Sequence, residues 1–181
     1  MTTESLAKQS YKVGFWGSSE NAPIFLAQSD TTAGFLCSSA TKLNAIKGRL
    51  ESQNALLTLD SFKKLKSLVR PPNQYKNKIR KSARKTFVYR GRHALMSKDS
   101  FHTMLAIRVI KPDRFRRISH ADFLQFFPFL YSSSANAHKK GFALGFALQN
   151  ANVIILDERG LKESNPSKIY KVSNHHLKCI R

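Results

Sequence analysis

The residues whose types and spacing suit chemistry point to anion binding. Lys47 and Arg49 flank Gly48. From one loop, an ammonium and a guanidinium two residues apart grip a polyphosphate, the arginine bidentately and the lysine as a point charge. Ser134 and Asn136 are also two apart, within Ser132-Ser133-Ser134-Ala135-Asn136. On extended backbone they share a face and hydrogen-bond a ribose or a phosphate. Asp30-Thr31-Thr32 forms a third polar loop. In open sheets ligands bind in the crevice outside strand ends, and these loops follow or connect strand-like segments. Each signal is weak alone, because serine runs are commonly turns and Lys-x-Arg pairs commonly surface charge.

Other chemistries find little support. There is no G-x-S-x-G, neither Walker nor Rossmann glycine pattern, and neither Cys37 nor Cys179 has an adjacent basic partner. The 11 acidic residues offer no obvious carboxylate pair for glycosidase chemistry. His175, His176 and Cys179 are close in sequence but lack a C-x-x-C or H-E-x-x-H companion, so no metal site is expected and the segment reads as solvated. An enzyme with this inventory works by positioning and charge neutralisation.

The elements that position these loops can be read from apolar runs and breakers. Residues 23–28 suit a buried strand running into a polar loop over 29–34. Ser39 caps a helix over 42–47 with Leu43 and Ile46 inward. Residues 55–59 read as a strand, and Asp60 or Ser61 caps a helix whose Phe62, Leu65 and Leu68 share one side. Pro71 and Pro72 stop it. Residues 86–89 and 105–109 are strand-like, and Ser119 opens a helix through Phe127. Residues 129–131 form a strand leading into the serine loop. Residues 141–149 read as a short buried helix, with last strands at 153–156 and 169–172. Alternating strands and helices favour an α/β or α+β single domain around a central sheet, with residues 1–22 a lead-in of poor order or an extra short strand.

Of 181 residues, 31 are Lys or Arg and 11 Asp or Glu, a formal net charge of +20. Residues 1–60 carry five of each sign, so all the excess lies in residues 61–181. The span 61–98 has thirteen Lys/Arg and no acid, densest over 75–85. Such a field attracts polyanions by counterion release. RNA, nucleotides and anionic membrane surfaces all qualify, as does a merely solubilising face. No amphipathic helix accompanies the charge, and the longest apolar stretch, near 142–148, is far below the ~18–20 residues of a spanning helix, so no membrane role is expected. With 41% apolar residues the chain buries a core. Two distant cysteines suit reduced thiols in a cytoplasm.

Taken in order, these pieces resemble the YrdC/TsaC family of threonylcarbamoyl-AMP synthases. The family's P-T-D-T-x-Y-G-L is similar to Gln28-Ser29-Asp30-Thr31-Thr32-Ala33-Gly34-Phe35, and its K-x-R to Lys47-Gly48-Arg49. V-A-V-R resembles Leu105-Ala106-Ile107-Arg108, and T-S-A-N resembles Ser133-Ser134-Ala135-Asn136. A closing P-S-T-I and a late I-R look like Pro166-Ser167-Lys168-Ile169 and Ile180-Arg181. The resemblance spans residues 23–181. Departures are Ala33 for the family tyrosine, Asn54 for a proline, Arg84-Lys85 where P-G-P is usual, and Lys168 in P-S-T.

The resemblance implies a twisted, mixed open sheet flanked by helices, with a basic concave face. It implies synthesis of threonylcarbamoyl-AMP from L-threonine, bicarbonate and ATP, with Mg²⁺, and hand-over to tRNA-modification partner proteins. By motif match Thr31, Arg108 and Ser167 would hold threonine. Lys47 and Arg49 would neutralise the triphosphate, and Ser134, Asn136 and Arg181 would bind the nucleotide. The basic stretch 61–98 would meet tRNA or another double-stranded RNA. A non-catalytic RNA-binding module on the same fold is the alternative. A carbamoyl transferase module of the hydrogenase-maturation type is a third, which would need further domains.

Overall fold

A computed structural model of the protein describes residues 21–90, 104–111 and 119–181. The expected lead-in at 1–22 lies almost wholly outside the described residues, as do positions 91–98 of the basic stretch.

The described residues form one mixed α/β unit around a nine-stranded sheet. In chain order the strands are Phe25–Gln28 (β1), Ala33–Cys37 (β2), Leu56–Leu59 (β3), Lys85–Arg90 (β4) and Met104–Val109 (β5). Leu130–Ser134 (β6), Val153–Ile155 (β7), Lys168–Val172 (β8) and Leu177–Cys179 (β9) follow. Their order across the sheet is β7-β1-β2-β6-β3-β5-β4-β8-β9. The pairs β1–β7, β3–β5 and β4–β8 are parallel and the other five antiparallel. The helices are Ala40–Ile46 (α1), Phe62–Leu68 (α2), Lys76–Lys81 (α3), Ser119–Leu124 (α4) and Leu144–Gln149 (α5), with a 3₁₀ turn over Asn73–Tyr75.

Alternation along β1 and β2 explains how the core is layered. Leu26 and Phe35 pack to one side with Leu43 of α1 and Ala147 of α5. Their neighbours Ala27 and Leu36 point the other way, to Ala121 and Leu124 of α4. Because both faces are covered, all five residues of β2 are buried, the pattern of a strand inside a sheet with helices on both sides. The β3–β5–β4 half packs on α2 and α3 through Leu57, Leu59, Leu65, Ile79, Phe87 and Ile107.

Helix starts follow their caps. The Ser39 side chain accepts from the Lys42 amide, and Ser61 accepts from the Lys64 amide. Asp60 is not the cap; it pairs with Lys64 at 2.5 Å. The Lys64 ammonium also donates to the carbonyls of Leu124, Gln125 and Phe127 at 2.7–3.1 Å. This satisfies the open carbonyl end of α4, so one cation of the acid-free stretch is spent inside the fold.

Several boundaries differ from expectation. The polar loop after β1 ends at Thr32, since residues 33–37 are β2. The basic cluster contains α3, whose single buried residue is Ile79, too little apolar spacing to announce a helix. The helix from Ser119 stops at Leu124. Three of the serines belong to β6 rather than to a loop. The helix expected over 141–149 begins at Leu144 and is not buried, because Leu144 and Leu148 are 49% and 42% exposed while Ala147 is enclosed. The supposed solvated C-terminal segment contains β9, held on β8.

Candidate functional site

The site forms where β2 meets β6. Gly34 sits opposite Ser134 in the ladder, and a Cβ at Gly34 would meet the Ser133 carbonyl oxygen at 3.0 Å. Gly34, with no side chain, also lines a cavity of about 170 Å³, whose other walls include Thr31, Arg108, His120, Ser134, Ser167 and Arg181. On the same measure one water needs ~10–15 Å³, so the space suits a small metabolite. Five of the eight residues expected to bind ligand therefore share one wall.

Arg108 projects from β5 and is almost fully buried. One terminal nitrogen (Nη2) donates to Thr31 Oγ1 at 3.0 Å and pairs with Asp30 Oδ1 at 2.5 Å. Burial lowers the guanidinium's affinity for its proton, with Asp30 opposing; an arginine still remains a cation at neutral pH. Thr31 is fixed by Ser29, whose Oγ accepts from the Thr31 amide at 3.0 Å. Ser167 lies 3.0 Å from Thr86 through their hydroxyls, and its carbonyl accepts from Arg181 at 3.3 Å. The Arg181 carbonyl accepts from the Ile169 amide at 2.8 Å, which seats the last residue against β8.

A strap of residues 156–167 closes one side. Arg159 donates to the carbonyls of Gln28 and Ser29 at 2.7 and 3.0 Å and pairs with Asp157 at 2.5 Å. The Lys162 amide donates to Gln28 Oε1, and the Ala33 amide to the Lys162 carbonyl. These bonds set Pro166 and Ser167 over the cavity.

Lys47 and Arg49 stand on the rim rather than in the wall. Lys47 ends α1, Gly48 takes φ +63°, and the amides of Gly48 and Arg49 donate back to the carbonyls of Ala45 and Asn44. This closing pattern favours glycine at that position, and it turns both cations toward the serine run. The Lys47 ammonium donates to the carbonyls of Ser134 and Asn136 at 2.5 and 2.6 Å and to Asn136 Oδ1 at 2.8 Å. Arg49 reaches Ser133 Oγ at 3.3 Å and His138 Nδ1 at 3.4 Å. Burial, with the Arg49 charge adding to it, lowers Lys47 to about 8. Asn136 faces Lys47 and Ser134 and does not line the cavity. Ser134 lines the cavity and touches Lys47, so it joins rim to wall.

Sequence reasoning missed Asp30 as the partner of Arg108, Gly34 as the floor, and His120. His120 sits on α4 among inward-facing Ala121 and Leu124, a register visible once the helix is placed. Among the described residues no three His, Cys, Asp or Glu side chains gather to hold a metal ion. Nor is any described helix long and apolar enough to cross a membrane.

No protein-family profile matches the chain, and no curated protein matches it by sequence. Solved structures do. The chain is similar to E. coli YciO at 12% identity and TM-score 0.67, covering 100% of this chain and 90% of that one. It is similar to P. abyssi Sua5 complexed with L-threonine at 14% identity and TM-score 0.65, over 88% of this chain and 50% of Sua5. A full-length HypF in its phosphate- and nucleotide-bound form matches at 12% identity and TM-score 0.69, over 88% of this chain and 26% of HypF. The chain thus spans nearly all of YciO, half of Sua5 and about a quarter of HypF. At these identities the likeness is one of fold: the chain has a YrdC-like fold.

Proposed function

We propose that the chain is a nucleotidyltransferase that joins L-threonine, bicarbonate and ATP into L-threonylcarbamoyl-AMP with release of pyrophosphate. The observation that carries this reading is the convergence of Thr31, Arg108, Ser134, Ser167 and Arg181 on one cavity, with two cations on its rim. A threonine-bound Sua5 and a nucleotide-bound HypF on the same fold support it.

The chemistry asks for no covalent residue. Threonine's amine and bicarbonate give an N-carboxylate and water. A carboxylate oxygen then attacks the α-phosphorus of ATP, and pyrophosphate leaves. What the protein supplies is alignment of two ligands and neutralisation of phosphate charge. Arg108, held by Asp30, takes the threonine carboxylate, flanked by Thr31 and Ser167. Ser134, Asn136 and Arg181 hold the nucleotide. Lys47 and Arg49 meet the triphosphate, Lys47 exchanging its present carbonyl and amide acceptors for phosphate oxygens. Mg²⁺ enters as the counterion of the ATP substrate, bound through phosphate oxygens. Partner proteins would then pass the threonylcarbamoyl group to tRNA.

Pyrophosphate release with MgATP and bicarbonate, with and without L-threonine, tests this. Threonine-dependent release that falls by roughly 10²-fold or more in Lys47→Ala is expected. No threonine-dependent release from folded wild type overturns it. A second reading, a non-catalytic module for double-stranded RNA, is favoured by the exposure of Lys78, Arg80 and Lys81 along one short helix, α3.

A further inference from the structure

His120 is the buried polar group that nothing so far accounts for. It is 2% exposed, it lines the cavity with Arg108 and Thr31, and neither Nδ1 nor Nε2 has a hydrogen-bond partner. A buried imidazole left so costs free energy that a ligand in the cavity would recover. The neighbouring Arg108 has its Nε unpartnered too, while its Nη2 is spent on Asp30 and Thr31. An Arg and a His with unused hydrogen-bonding capacity therefore line one small space.

The chemistry of the pair limits what the imidazole meets. Burial first, then the charges of Arg108 and Arg159, with Asp157 opposing, lower His120 to about 3. The ring is neutral, with one donor and one acceptor nitrogen. A carboxylate accepts without donating and is drawn to the guanidinium. An ammonium donates without accepting and is repelled by the same charge. A hydroxyl both gives and takes, so it satisfies whichever ring nitrogen faces the cavity.

We propose that His120 reads the side-chain hydroxyl of the amino acid whose carboxylate sits on Arg108, and so makes the cavity selective for a β-hydroxy amino acid over its apolar isostere. This rests on the reading of the cavity as an amino-acid site. His120 is a specificity-determining residue and takes no part in the transfer step. With valine in place of threonine the ring stays unpaired, and a site with such a group rejects the analogue lacking its partner.

The test is equilibrium binding of L-threonine and L-valine to the full chain by calorimetry, for wild type, His120→Leu and His120→Gln. It is paired with ¹⁵N NMR of the His120 ring in wild type. Wild type is expected to prefer threonine by at least about tenfold. His120→Leu brings the two affinities to within about threefold, through loss of threonine binding with valine unchanged. His120→Gln, which keeps a donor and an acceptor, restores part of the preference. The ring-nitrogen shift moves with threonine and not with valine. If threonine binds but His120→Leu keeps the wild-type ratio, or the ring shift responds equally to both, His120 is not the reader and the amino-acid site stands. If wild type binds neither, the amino-acid site itself fails and the inference falls with it. Should His120→Leu not fold, the glutamine variant and the wild-type NMR decide.

Discussion

Arg108 and Asp30 meet at 2.5 Å with 7% and 15% of their side chains exposed, one from β5 and the other from the turn after β1. Each holds the other where water is scarce. Asp30→Ala leaves a buried guanidinium uncompensated, and urea denaturation is expected to show a loss of about 3–5 kcal/mol. The double variant with Arg108→Ala should lose less than the two singles summed, because the unpaired charge is gone.

The lowered Lys47 value has a consequence for pH. Phosphate binds the ammonium, and that form is lost as pH rises through about 8. Nucleotide affinity, titrated from about pH 7 to about pH 10, should therefore fall across that range. It should flatten in Lys47→Arg, which keeps its charge. The contribution of this group to folding runs the other way. The cost of burying the ammonium is present in full below about 8 and is relieved as pH climbs toward 10.5, where the unfolded chain also loses its proton.

Gly48 stands at φ +63°, where a side chain is strained although nothing lies within 4 Å of its Cβ position. Gly48→Ala should cost about 1–2 kcal/mol in denaturant unfolding. Because the same turn aims Lys47 and Arg49, nucleotide affinity should drop while threonine affinity is unchanged.

Lys78, Arg80 and Lys81 are exposed on α3. If this helix meets RNA, replacing all three with Ala should weaken binding to a double-stranded RNA uniformly across sequences. The slope of log affinity against log salt should become shallower by roughly two to three units, about one per lost phosphate contact. Fluorescence anisotropy at several salt concentrations reads both.

Much of the frame was legible because its signals are local. Ser39 and Ser61 announce their helices through capping, and the apolar runs at β1, β3 and β5 are plain. What escaped depended on the third dimension. Residues 33–37 are buried on both faces, so they show no alternation. β9 has no fully buried residue and exists because it pairs with β8. In the candidate site, spacing placed Lys47 beside Arg49 and Ser134 beside Asn136. It gave no sign that Asp30 would pair with Arg108, a relation that arises from sheet order, or that His120 would face them, which depends on how α4 packs on the sheet.

That sheet order also bears on how the chain is assembled. β6 lies between β2 and β3, yet it is synthesised after β3, β4 and β5. Until residue 134 has emerged, β1–β2 and β3–β5–β4 are two ribbons with open inner edges, each a template for mispairing. Joining them is a distant contact that closes late and slows folding. The serine strand is thus the keystone of the sheet as well as the wall of its cavity, and a nascent chain halted before it holds two halves and no site.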